Sequence, residues 1–127
     1  MRDMVTALHH VQLSIAPDKI HASRQFYVEL IGLVEIEDPF KIEGFWLAAG
    51  HQQVHCRVEA DIDRRKTRAH PAFVVDDLRE VETRLVTAGF VLDHQKDFDG
   101  FRRFHVIDPN GNRIEIMGKI SVARGSF

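Results

Sequence analysis

The strongest constraint on this chain is that it writes one pattern twice: a strand, a helix and three more strands, then the same order again. In residues 8–15 (LHHVQLSI), Val11, Leu13 and Ile15 recur at period two, as in a strand that buries one face. A helix is expected from about Lys19 to Leu30, with Phe26, Leu30 and Ile31 as its apolar stripe and Gly32 as its terminating residue. Strands follow at 33–36, 44–49 and 53–59. A charged link, DIDRRKTRA at 61–69, leads to HPAFVV at 70–75, which reopens the pattern. The second helix has Asp76 or Asp77 as N-cap, Leu78, Val81, Leu85 and Val86 as its stripe, and Gly89 as its stop. Strands are expected at 90–94, 101–107 and 113–117, the last two joined by the tight turn DPNGN at 108–112.

The spacing supports a repeat. His10 and His70 stand 60 residues apart, as do His55 and Glu115, while Gly32 and Gly89 stand 57 apart because the loops differ. At 127 residues the chain is one domain, or two very small halves sharing a core. Neither half can bury both faces of its sheet alone, so the halves pair with each other or with a second chain. The expected organisation is a single domain over 1–127, with module one at about 8–60, the link at 61–69 and module two at about 70–117.

Composition removes several function classes. The hydrophobic share of 44% and charged share of 28% are those of an ordinary globular protein. A net charge of −2 and an isoelectric point near 6.4 suggest neither a nucleic-acid nor an anionic membrane partner. No apolar run approaches the ~20 residues of a membrane span. The N-terminus lacks a signal-peptide core, and the single cysteine, Cys56, suits a reducing compartment. A cytoplasmic location is the expectation.

Strand parity then singles out four side chains. If Val54, Cys56 and Val58 pack under a helix, Gln53, His55 and Arg57 face away; if Ile114 and Ile116 pack, Glu115 faces away. The same rule turns His10 and His70 to the face opposite the helices. Should the sheet curve around that face, His10, His55, His70 and Glu115 converge. Imidazoles and a carboxylate are a sound ligand set for a divalent first-row metal, and two histidines with one carboxylate leave positions open for water or substrate. Each residue taken singly also fits an ordinary role. His10 reads as half of a solvent-exposed pair with His9, His70 as a linker residue before Pro71, and Glu115 as a surface partner of Arg113 or Arg103. Gln53 shares the parity of His55 and competes for its place.

The segments LHHVQLSI, FYVELIGLVEI, AHPAFVVDDLREVETRLVTAGF and FHVIDPNGNRIEIM resemble the vicinal oxygen chelate superfamily, the glyoxalase/bleomycin-resistance/extradiol-dioxygenase group. The resemblance implies an α+β fold of two βαβββ modules, whose curved mixed sheets form a cleft, usually in a dimer. It implies His10, His70 and Glu115 as metal ligands, as in fosfomycin thiol transferases and extradiol dioxygenases. Glyoxalase I and methylmalonyl-CoA epimerase add a glutamate or glutamine from the last strand of module one, a place that falls here on His55 or Gln53. The 60-residue offset favours His55 as lining that site.

The implied cofactor is a divalent metal, Zn, Mn, Fe or Ni. The implied chemistry is chelation of two adjacent substrate oxygens, whose developing negative charge the metal stabilises. His105 and Trp46 are further candidates for substrate contact, although parity in 101–107 leaves His105 open between the cleft and a half-exposed strand position, and a lone tryptophan also suits a core. Arg103 and Arg102 could attract an anion or form a solvated pair. Three functions compete. The first is a metal-dependent lyase, isomerase or dioxygenase acting on a small molecule. The second is a metal-free drug-sequestering protein of the bleomycin-resistance kind, which usually lacks these ligands. The third, a fosfomycin-type thiol transferase, brings a potassium-binding loop and a denser cationic lining not found here. The metal-dependent enzyme, as a homodimer whose cleft combines modules within or between chains, is the expected reading.

Overall fold

The computed structural model describes residues 4–63 and 67–120; residues 64–66 of the charged link lie outside that range. β1 (His10–Ile15) leads through a 3-10 turn at Pro17–Lys19 into α1 (Ile20–Arg24), which continues as a π-helical turn over Gln25–Leu30. β2 (Val34–Ile36), β3 (Gly44–Ala49) and β4 (Gln52–Val58) complete the first module. The second runs β5 (Ala72–Val74), α2 (Leu78–Thr87), β6 (Asp93–His94), β7 (Phe101–Ile107) and β8 (Arg113–Lys119). Each module builds its own four-stranded sheet, in the orders β1-β4-β3-β2 and β5-β8-β7-β6. The first strand of each module pairs parallel to its last, and the remaining pairs are antiparallel. The α+β fold is therefore the expected pair of βαβββ modules, with curved sheets that do not close.

Alternation along the strands decides what is buried. Leu13 and Ile15, Val54 and Cys56, Phe104 and Val106, and Ile114 and Ile116 all enter one apolar core with Phe26 and Tyr27 of the first helical segment and Val81 and Leu85 of α2. Both modules thus contribute to a shared core, and the ring of Phe26 meets that of Phe90 across the module boundary at 5.1 Å. Each such large apolar side chain contributes about 1.5–3 kcal/mol by leaving water.

The helices differ from the expected pattern in two places. The π-helical turn is wider than an α-turn, so the neighbours Phe26 and Tyr27 are both fully buried while Leu30 is only half-buried. Val86 stands one position past Leu85 in α2, about 100° further around, and is exposed rather than part of the stripe. Of the two candidate caps, Asp77 is the N-cap of α2: its Oδ1 accepts from the Glu80 backbone N–H at 3.0 Å. The strand expected at 90–94 narrows to Asp93–His94, because the Phe90 N–H closes the end of α2 on the Leu85 carbonyl at 3.0 Å.

The DPNGN turn does more than connect two strands. Asp108 Oδ1 accepts from the backbone N–H groups of Asn110 and Asn112, both at 2.8 Å, which closes the turn. Its Oδ2 accepts the Tyr27 hydroxyl at 2.5 Å and the Asn112 side-chain amide at 2.8 Å. Asn110 accepts from the Ala16 N–H and donates to Ser23 Oγ, both at 2.8 Å, while Asn112 donates to the Ser14 carbonyl at 3.0 Å. A turn of module two thereby grips the first strand and helix of module one.

Candidate metal centre

The sheet of module two assembles the centre. Glu115 lies in β8 between two partners, opposite Ala72 of β5 on one side and His105 of β7 on the other. Pro71 has no N–H to extend the ladder, yet its carbonyl accepts from the Glu115 N–H at 3.0 Å, so parallel pairing reaches one residue beyond β5. His70 is held beside Glu115 in this way. The parity of 101–107 is settled as well: Phe104 and Val106 enter the core, which turns Arg103 and His105 to the face of Glu115.

Three nitrogens converge on one carboxylate oxygen. His70 Nε2 and His105 Nε2 each lie 3.0 Å from Glu115 Oε1, and Arg103 Nη1 lies 3.3 Å from the same atom. Glu115 is buried, with 5% of its surface exposed. Burial alone would raise its carboxyl, but the His105 hydrogen bond, the Arg103 charge and the His70 hydrogen bond outweigh that, and the group is held below the usual glutamate value. Arg103 is itself fixed, donating from Nε to the Lys96 carbonyl at 2.9 Å, with its guanidinium 5.5 Å from the Phe98 ring. Arg102 instead forms a solvated pair with Asp97 at 3.8 Å.

The donor chemistry fits a divalent metal. His70 Nδ1 lies 2.7 Å from the Arg68 carbonyl oxygen, which can only accept, so Nδ1 carries the hydrogen. A neutral His70 then presents the Nε2 lone pair to a carboxylate oxygen, and two acceptors at 3.0 Å require a cation between them, a proton or a metal ion. A ring N–H donated to a backbone carbonyl is the usual outer contact of a metal-binding histidine. Among the described residues, His70, His105 and Glu115 form the one group of three or more such ligands whose donor atoms all lie within 4.8 Å of one another.

The other candidates gather on module one. His10 is opposite Gln53 in the β1–β4 register, and Trp46 is opposite His55 in β3–β4. The rings of Trp46 and His55 stack at 3.7 Å, and His10 stacks on His55 at 4.2 Å. His55 Nε2 is 2.8 Å from Gln53 Oε1, and burial with the nearby His10 and His9 lowers the His55 pKa against the opposing pull of Asp38. His9 is exposed and shares a hydrogen bond with His10, Nδ1 to Nδ1, at 2.9 Å. The strand register agrees with the 60-residue offset: Gln12 faces His55 as Ala72 faces Glu115, and the buried Val54 and Cys56 stand where Ile114 and Ile116 stand in the second module. His10, Gln53 and His70 line one groove of about 1200 Å³, yet His10 is not in the His70, His105 and Glu115 group. The role of the Arg68 carbonyl had no signal in the sequence, since any residue supplies that atom.

Comparisons with known proteins bear on this geometry. A glyoxalase family protein from Bacillus anthracis is 36% identical, with the match covering 94% of this chain and all of the other at a TM-score of 0.81. Lactoylglutathione lyase from Agrobacterium tumefaciens is 20% identical over 91% of this chain and 96% of the other, with a TM-score of 0.64. TnmS3, an antibiotic binding protein from Streptomyces sp. CB03234, is 18% identical over 94% of this chain and all of the other, with a TM-score of 0.66. The latter two likenesses concern the fold alone. No curated protein matches the chain. Among the described residues no helix is long and apolar enough to cross a membrane. The family profile covers residues 7–116, from the start of β1 into β8, and the chain belongs to the Glyoxalase/Bleomycin resistance protein/Dioxygenase superfamily.

Proposed function

We propose that this chain is a divalent-metal-dependent enzyme acting on a small molecule, of the lyase, isomerase or dioxygenase type. The observation that carries this reading is the convergence of His70, His105 and Arg103 on Glu115 Oε1, with His70 oriented by the Arg68 carbonyl. His70 and Glu115 would hold the metal, with a third ligand for which the resemblance supplies His10. Zn, Mn, Fe and Ni all suit such a set. When bound, the metal supplies a Lewis acid for two adjacent oxygens of a substrate.

The chain's own residues supply the rest. Glu115 offsets part of the metal charge and is kept ionised by its neighbours, and Arg103 fixes its carboxylate while adding positive charge to that end of the site. His10 and Gln53 line the groove with His70, which supports a small-molecule substrate bound between β1 and β5. Trp46, stacked on His55 and beside Phe40 at 6.0 Å, supplies an apolar wall on the module-one face. Both β1 and β5 are sheet edges, which supports a homodimer that covers them. The buried, free Cys56 agrees with a cytoplasmic, reducing setting.

The test is elemental analysis of untagged protein beside a His70→Ala variant. Near-stoichiometric metal that disappears in the variant is expected, and its identity narrows the chemistry. Metal-free protein in both cases, even after reconstitution, would overturn the enzyme reading in favour of a drug-sequestering protein.

A further inference from the structure

We infer that the open face of module one binds a planar aromatic group of one or two fused rings, carried by a small molecule, with Trp46 and His55 as the floor of the site and Phe40 and Ile42 as its rim. The inference uses residues of β3, β4 and the turn that precedes β3, and it holds whatever occupies the centre on module two. Three observations carry it.

The first is a floor of parallel rings. Phe45 and Leu47 of β3 enter the core, as do Val54 and Cys56 of β4, so alternation sends Trp46 and His55 to the opposite face. The two are directly paired in the β3–β4 ladder, with their rings 3.7 Å apart and 3° from parallel. Gln53 Oε1, 2.8 Å from His55 Nε2, holds the imidazole, so the floor is in place before a ligand arrives.

The second is a rim of apolar side chains held in water. Phe40 is 71% exposed and Ile42 43%, and neither belongs to the apolar core. A tight turn presents them: Asp38 Oδ1 accepts from the Phe40 N–H at 2.8 Å, and Oδ2 from the Ile42 N–H at 3.2 Å. The Lys41 N–H closes the same turn on the Asp38 carbonyl at 3.2 Å, with Lys41 at φ +52. Both oxygens of one carboxylate are thus committed to displaying two apolar groups. The Phe40 ring stands 6.0 Å from that of Trp46 and tilted by 64°, an edge-to-face contact.

The third is the space between floor and rim. It is a cavity of about 420 Å³, to which Gln12 and Arg57 add polar groups. A concave, aromatic-lined space with a few polar groups is the usual form of a small-molecule site. Indole and phenyl faces favour a flat ring because offset stacking and edge-to-face contact add to the area buried, whereas a saturated ring gains the area alone.

The chain has one tryptophan, so the single indole N–H signal of nitrogen-labelled protein belongs to Trp46. 2-Naphthol, titrated against its saturated analogue decahydro-2-naphthol, tests the site. 2-Naphthol should move the Trp46 signal saturably, with a dissociation constant on the order of a millimolar or below. The saturated analogue should bind roughly 2–10-fold more weakly. Phe40→Ala should weaken 2-naphthol binding by about 3–10-fold, and Asp38→Ala, which releases the turn, should weaken it in the same direction. Both positions are exposed, and wild-type circular dichroism of each variant separates loss of the rim from misfolding.

Absence of a saturable shift, equal affinity for the saturated analogue, or wild-type binding in both variants would overturn the inference. A Trp46 signal that moves with protein concentration but not with 2-naphthol would overturn it too, and would make this face a contact between copies of the chain.

Discussion

Tyr27→Phe isolates a single hydrogen bond at the junction of the two modules. The Tyr27 side chain is fully buried, and its hydroxyl donates to Asp108 Oδ2 at 2.5 Å. Phenylalanine keeps the ring, its packing and its contact with Phe26, so the change removes only the O–H and its bond to a carboxylate. A hydrogen bond to a charged group is worth about 1.5–3 kcal/mol net. Oδ2 keeps the Asn112 amide at 2.8 Å, which places the expected loss near the lower end, about 1.5–2 kcal/mol. For a chain of this length that corresponds to a fall in Tm of roughly 5–10 °C. Urea unfolding followed by circular dichroism measures it, with an unchanged m-value showing that the folded and unfolded states keep their exposure. The exposed Arg24–Glu35 pair at 2.8 Å provides a contrast, since Glu35→Gln should cost about 0–1 kcal/mol. A cycle with Asp108→Asn should give a coupling of about 1 kcal/mol or more. A loss below about 0.5 kcal/mol in Tyr27→Phe, or strict additivity in the cycle, would refute the clasp.

Tyr27 is the chain's single tyrosine, which makes its ionisation directly readable. Burial first, then the charge and hydrogen bond of Asp108, raise its pKa well above the ordinary value of 10.0. The folded state therefore keeps the proton after an unfolded chain would lose it, so this contribution to stability is full below pH ~10 and is lost as pH climbs further. Phenolate absorbance should appear together with the loss of circular dichroism; a separate native titration near pH 10 would contradict this. Burial, with a smaller push from Asp108, raises the Cys56 thiol to about 12. At pH 8 its thiolate fraction is about 10⁻⁴, so iodoacetamide should react about a thousandfold more slowly than with the denatured chain, and equal rates would refute the burial argument. Gly44 has φ +132, and a Cβ there would lie 2.0 Å from the Cys56 carbonyl oxygen. Gly44→Ala should cost about 2 kcal/mol or more in a denaturant titration, whereas a near-neutral result would mean that β3 and β4 are less closely held.

The order of elements was legible because period-two alternation and helix-ending glycines are local signals. Leu13, Val54 and Ile114 could be assigned to the core from their neighbours alone, and the structure buries all three. The π-helical turn was not legible, because a shift from i+4 to i+5 bonding leaves no residue signature at Phe26 and Tyr27. Nor was the long-range role of Asp108, since a turn aspartate looks the same whether or not a distant tyrosine donates to it. In the site, parity oriented His70 and Glu115 toward one face, and the 60-residue offset agrees with the strand pairing, in which Gln12 faces His55 as Ala72 faces Glu115. The face that His105 takes was left open by parity, because it depends on how β7 pairs with β8. The closeness of His105 to Glu115 likewise depends on the length of the β7–β8 turn, a tertiary quantity.

The clasp made by residues 108–112 also bears on how quickly the molecule comes apart. Its bonds to Tyr27, Ser23, Ala16 and Ser14 join residues 81, 87, 94 and 98 positions apart in the chain. Contacts so distant require most of the chain to be ordered before they form, and they are correspondingly absent from an early transition state. Interactions of that kind act on the unfolding limb of the chevron, slowing escape from the native state while leaving the refolding rate nearly unchanged. The short turn is thus positioned to lengthen the lifetime of the folded protein.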